Sequence, residues 1–128
     1  GSAFSNFLRD PFTTLEDAED RIFATTISAC WQCGAGPFDW STCRRQVRET
    51  LIQAFAEHES ASVQHTLYAL AGAVFDACPA VQRITLEMPN QHRLLVDLSP
   101  FGIRNENEIF VPTSEPFGVI SATVDRSG

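Results

Sequence analysis

The feature that most limits what this chain can fold into is a change of hydrophobic period at Pro79. Before it, apolar residues recur every three and four positions. After it, they recur every two. Trp40, Cys43, Val47, Leu51, Ala54 and Phe55 form one helical stripe running to about His58, with Asp39 or Ser41 placed to cap its start. Residues 59–62 break the pattern with capping types. Leu67, Leu70, Ala71, Val74, Phe75 and Cys78 then mark a second stripe, stopped by Pro79. Two amphipathic helices so close in sequence predict an αα-hairpin. Beyond Pro79, Ile84, Leu86 and Met88, then Leu94, Val96 and Leu98, all occupy even positions, as in strands with one buried face. Pro100-Phe101-Gly102 turns the chain, and residues 108–111 and 119–124 predict two further strand pieces around Pro112 and Pro116. Ahead of the helices, residues 21–33 are β-branched and aromatic, with Phe23, Ile27 and Trp31 on one parity. They predict a long strand ended by Gly34, Gly36 and Pro37. The order strand, helix, helix, strands predicts an α+β fold, an antiparallel sheet with two helices packed on one face. At 128 residues this is one domain.

Charge narrows the function classes. The chain carries 9 basic and 16 acidic residues, for a net charge of -7. That balance argues against a nucleic-acid groove. All the basic residues are Arg, so chemistry requiring a lysine amine must come from elsewhere. No apolar run approaches the ~18 residues of a membrane span, so no membrane partner is expected. Arg9, Asp10 and Asp20 interrupt early apolar stretches, and a secretory signal is not expected. The expected state of Cys30, Cys33, Cys43 and Cys78 is therefore four reduced thiols. Cys30-x-x-Cys33 as half of a zinc site would need Cys43 and Cys78 brought close. On a strand, residues three apart face opposite ways, so chelation would require a bend. Buried inert cysteines and no metal are the expectation.

Three clusters depart from a plain solvated face. Asn90 and His92, two apart after Pro89, project to the side otherwise lined by Leu, Met and Val. They form either a structural pair at a bend or an amide and imidazole able to hold a small ligand and move a proton. Ser62-Val63-Gln64 opens the second helix, where Ser62 is an N-cap or the free N–H groups receive an anion. Arg21, beside Asp20, is an exposed ion pair or a fork-shaped donor for a planar carbonyl-rich ligand.

Taken in order, the blocks become specific. Asn6-Phe7-Leu8-Arg9-Asp10 with Thr13-Thr14-Leu15, Asp20-Arg21-Ile22, residues 62–68 (SVQHTLY), Pro89-Asn90-x-His92, Asp97-Leu98-Ser99, and residues 108–112 (EIFVP) with Gly118 together resemble the urate oxidase (uricase) family. The match runs through nearly the whole chain and looks like the C-terminal half of that enzyme. The resemblance implies the tunnelling fold (T-fold), in which each chain carries two ββααββ units and chains assemble as a homotetramer. Residues 1–128 would be the second, C-terminal unit, lacking its first strand. The resemblance also implies purine catabolism without a cofactor: urate, O2 and water become 5-hydroxyisourate and hydrogen peroxide. Phe4 would stack on the purine. Arg21 and Gln64 would grip its edges, with the Val63 N–H as a further donor. Asn90 would hold the dioxygen or water site, and His92 would belong to a proton relay. The relay's Lys and Thr lie in the family's first unit, so the N-terminal T-fold portion is the partner this chain requires.

The missing lysine also motivates an alternative, a non-catalytic purine-binding or assembly module with a uricase-like fold. A zinc-dependent purine or pterin enzyme on a related fold would rest on the cysteines alone. The ending Asp125-Arg126-Ser127-Gly128 differs from a peroxisomal Ser-Lys-Leu address, so a cytoplasmic location is expected.

Overall fold

Helix formation between residues 39 and 78 follows from two well-capped apolar stripes. The computed structural model describes residues 2–14, 16–17, 22–114 and 118–126. Helix α1 spans Trp40–Glu57. Asp39 caps it, its carboxylate accepting from the Ser41 and Thr42 N–H groups at 3.1 Å each. Those bonds, with that of the Thr42 hydroxyl first, hold the Asp39 carboxyl below its usual pKa. Helix α2 spans Val63–Ala77 and starts at Ser62, whose hydroxyl accepts from the His65 N–H at 3.0 Å. At its far end the Arg126 guanidinium donates to the Phe75, Cys78 and Val81 carbonyls at 2.6–3.0 Å. Carbonyls that no helical N–H can reach are thereby satisfied.

The main sheet has three antiparallel strands in the order β1 (Ser28–Cys33), β2 (Val81–Pro89), β5 (Val119–Asp125). On the central strand, Ile84 faces Trp31 on one side and Val124 on the other, while Leu86 faces Ala29 and Ala122. Ile84, Leu86 and Met88 are fully buried, as their even spacing predicts. They meet Leu67, Leu70, Ala71 and Val74 of α2 in a single core. Helix α2 lies on β2 and β5, and α1 packs beside α2, contributing Cys43, Val47 and Leu51. The α+β layering predicted from the sequence is thus present. Among the described residues β1 pairs only with β2. Beside it a groove of about 590 Å³ runs under α1, lined by Ile27, Ala29, Trp31, Val47, Leu51 and Phe55 and rimmed by Arg44 and Arg48.

Three local expectations are corrected. The predicted strand over 21–33 is regular only from Ser28. Its continuation survives as an isolated bridge, Ala24 to Gln91, in the same register as the ladder from Ser28 to Glu87. Between them stands Pro89. The odd-numbered N–H groups of this strand point toward β1, as the Gln91 N–H to Ala24 carbonyl bond shows. Proline has no N–H to give, so the ladder lapses opposite Thr26. Next, Leu94 does not share the core face of Leu86: it is 56% exposed. The chain leaves the main sheet after Pro89, and Arg93–Leu95 (β3) pairs instead with Phe110–Pro112 (β4) in a separate antiparallel ribbon. Finally, β4 begins two residues later than expected. The Asn105 side-chain oxygen accepts from the Glu108 and Ile109 N–H groups, which holds residues 105–109 in a turn.

His58 closes α1, its N–H donating to Ala54, and its ring packs at a 55° tilt against that of His65 of α2, centroids 4.7 Å apart. Its Nε2 is buried without a hydrogen-bond partner among the described residues. Burial, and then the neighbouring His65, hold the His58 pKa below 6.5, partly offset by Glu59.

Two outcomes follow for stability. Leu70→Ala in the fully buried stripe should destabilise the chain by ~2–5 kcal/mol, and Ile52→Ala on the exposed face of α1 by under ~0.5 kcal/mol, as read by urea unfolding. Because the folded state binds a proton at His58 less readily than the unfolded state, His58 adds stability above the unfolded value. That contribution is lost as pH falls from about 6.5 through the lowered folded value. His58→Gln should flatten the decline of the unfolding midpoint over that window; parallel declines would contradict it.

Candidate functional site

The candidate site residues lie on the N-terminal segment, the start of α2 and the strand end after Pro89. Residues 2–5 run parallel to residues 60–61. The Ala3 N–H donates to the Ser60 carbonyl at 2.6 Å, and the Ser5 N–H to the Ala61 carbonyl at 3.1 Å. The Phe4 backbone is pinned between these bonds, just ahead of the first turn of α2. That turn is itself locked. The Ser60 and Thr66 hydroxyls lie 2.7 Å apart, both buried, and each reaches the Ser62 carbonyl at 3.0–3.1 Å. Val63 is buried, so its side chain belongs to the core and only its backbone can serve a ligand. Gln64 is exposed on the same turn. Ser62 satisfies the third N–H of the helix. The Val63 and Gln64 N–H groups, the first two, have no intrahelical acceptor and carry the positive end of the helix dipole.

Residues 22 and 23 share a pocket with the N-terminal segment. Ser2, Ile22, Phe23, Phe55, His58, Ser60 and Thr66 line a cavity of about 310 Å³, so residues 22–23 meet the N-terminal segment and α2 there. Phe23 packs on Phe55 at 5.3 Å. The next residue, Ala24, is the one bridged to Gln91. Asn90 and His92 flank that bridge. Their backbone is fixed from the opposite side, since the Asn90 N–H donates to Gly118 at 2.8 Å and the Thr113 N–H to the His92 carbonyl at 3.2 Å. Both side chains are half-buried. Arg21 lies outside the described residues, as does Asp20.

The structure therefore fixes the Phe4 backbone against residues 60–61, two residues ahead of the helix turn that carries Val63 and Gln64. It ties Asn90 and His92 to the segment that follows Arg21. Phe7 covers one face of the Phe4 ring at 4.4 Å, and the Arg9 guanidinium sits 4.8 Å from the Phe7 centroid. The Asp97-Leu98-Ser99 block has a local task. Asp97 accepts from the Ser99 N–H at 2.9 Å, which lowers its pKa and steadies the 3-10 turn at Ser99–Phe101.

Two features were not anticipated from the sequence. One is the His58–His65 ring contact, whose only signal was a pair of histidines bracketing the interhelix break. The other is the meeting of Cys33 with Cys43 at 3.9 Å, where the close Cys30–Cys33 spacing had drawn attention to a different pair. Cys30 is exposed while Cys33 turns inward. Among the described residues no three His, Cys, Asp or Glu side chains are grouped to hold a metal ion, and no helix is long and apolar enough to cross a membrane.

Comparison with known proteins closes the identification. A family model described as Uricase matches residues 1–121. The uricase of Arthrobacter globiformis is 42% identical over 128 residues, covering 100% of this chain and 42% of its own length. That of Danio rerio is 39% identical over 130 residues, covering 98% and 44%. The crystal structure of Arthrobacter globiformis uricase superposes with a TM-score of 0.89 at 41% identity, over 99% of this chain and 44% of that one. A urate oxidase from Bacillus sp. TB-90 shares the fold at a TM-score of 0.75 and 20% identity. The chain spans less than half the length of each of these relatives. With a family model matched along nearly all of its sequence, the chain belongs to the uricase family.

Proposed function

We propose that this chain is the C-terminal T-fold unit of a urate oxidase and supplies most of the urate-binding residues of that enzyme. The observation that supports the reading is the pinning of the Phe4 backbone to residues 60–61, just ahead of the helix turn that carries Val63 and Gln64. An aromatic residue, the free N–H groups of a helix start and an amide are together the donors and surface that suit a planar anion rich in hydrogen-bonding edges. In this reading Phe4 stacks on the purine, and Gln64 and the Val63 N–H hold one edge. Arg21 grips the opposite edge with a charge-assisted fork. Asn90 holds dioxygen or water over the ring, and His92 moves protons. The substrates are urate, O2 and water, and the products 5-hydroxyisourate and hydrogen peroxide. The protein contributes orientation, exclusion of bulk water and proton management, with no cofactor.

The chain has no lysine, so the relay Lys and Thr come from the N-terminal T-fold portion within a homotetramer-type assembly. The edge of β1 that is left unpaired among the described residues, and the apolar groove beneath α1, support a further strand joining there. The absent lysine equally favours a second reading, a unit that binds a purine or assembles without turning it over.

Variants of the chain joined to the N-terminal portion test the assignment. Arg21→Ala should weaken urate binding by roughly 10–100-fold, the loss expected for a charge-assisted hydrogen bond, as measured by equilibrium titration. His92→Ala should lower kcat by about 10²–10⁴-fold with little change in KM. Unchanged affinity in the first variant, or equal losses of binding and turnover in the second, would remove those roles.

A further inference from the structure

The cysteines contain a pair that the proposed reaction does not use. Cys33 ends β1 just past an irregularity in its pairing with β2, where the register shifts between Gln32 and Cys33. Cys43 lies in the first turn of α1 and is 5% exposed. The intervening loop returns the chain on itself, fixed by the Gly34 N–H to the Ala80 carbonyl and by the Asp39 cap, and it sets the two sulfurs 3.9 Å apart. Cys78 turns its sulfur toward Gln46 instead, at 4.0 Å, and Cys30 sits exposed on β1. One pair of the four is therefore preselected by the backbone.

We propose that Cys33 and Cys43 form an oxidation site, which a peroxide closes to an intramolecular disulfide bolting the end of β1 to the start of α1. Cys33 is the less buried of the two and takes the oxidant first. Its sulfur attacks one peroxide oxygen, the O–O bond breaks, and Cys33 becomes a sulfenic acid with release of water. The Cys43 sulfur then attacks Cys33, the S–S bond forms, and the hydroxyl leaves as a second water after taking the Cys43 proton. Two thiols lose two electrons in all, and one peroxide becomes two waters. The sulfurs must close by about 1.9 Å to reach bonding distance, within reach of side-chain rotation. Burial, then the Cys43 sulfur and Cys78, push the Cys33 pKa up to about 11. The reactive thiolate is therefore scarce at neutral pH, and closure is slow there and faster as pH rises. The bond would tie α1, which otherwise packs beside α2, covalently to the sheet.

The test adds hydrogen peroxide to the folded chain, so its outcome does not depend on the chain's own activity. Chymotrypsin cuts after Trp31, Phe38 and Trp40, which places Cys30, Cys33 and Cys43 on separate peptides for mass spectrometry. The expected result is a chain two hydrogens lighter, with free thiols falling from four to two and the 33- and 43-containing peptides joined. Thiol reductant should reverse the change, and the oxidised chain should melt several degrees higher. Cys30→Ser should leave the cross-link intact, and Cys33→Ser should abolish it. Should either variant fail to fold, the parent chain decides alone, since peroxide on the urea-unfolded chain should scatter the linkages. Overoxidation to sulfinic acid without a cross-link, or a cross-link using Cys30 or Cys78, would overturn the proposal.

Discussion

Burial of one stripe of α2 against the middle strand is the interaction on which the other parts rest. Leu67, Leu70, Ala71 and Val74 are excluded from water on one side, and Ile84, Leu86 and Met88 on the other. Each large apolar side chain so buried contributes on the order of 1.5–3 kcal/mol. The same helix carries the candidate site at its N-terminus. A helix anchored this firmly holds its first turn still, and the Ser60–Thr66–Ser62 network extends that rigidity to the segment that carries Phe4. Site precision here is inherited from core packing, not from the loop.

Pro89 is the second determinant. By withholding one N–H it interrupts the β1–β2 ladder opposite Thr26 and leaves Asn90 and His92 on a segment fixed by backbone bonds from both sides. A continuous strand would have placed the two side chains in a regular pleated row. The interruption leaves a half-buried polar pair at the end of the apolar row of β2. The chain belongs to the uricase family and covers 44% of the solved Arthrobacter globiformis structure.

Much of this was legible in the residues. The caps at Asp39 and Ser62, both helical stripes apart from the exposed Trp40, and the buried parity of β2 were readable because each is a local pattern enforced by burial. Leu94 misled because alternation reports a half-buried strand without saying which sheet owns it. The lapse opposite Thr26 was hidden because the relevant donor belongs to a residue more than sixty positions away. Nothing local in the sequence marks the N-terminal segment as a neighbour of α2; the parallel bonds of residues 3 and 5 to 60–61 supply that link. The Cys33–Cys43 pair escaped notice because a Gly-rich turn, not a spacing motif, brings it together.

The most direct measurement is the loss of urate in aerated buffer, followed by ultraviolet absorbance, for the chain alone and after joining it to the N-terminal portion of a uricase. The account predicts no turnover by the chain alone and turnover once the lysine-bearing portion is supplied. Turnover by the 128-residue chain alone would contradict it, because a chain without lysine would then be completing the proton relay unaided.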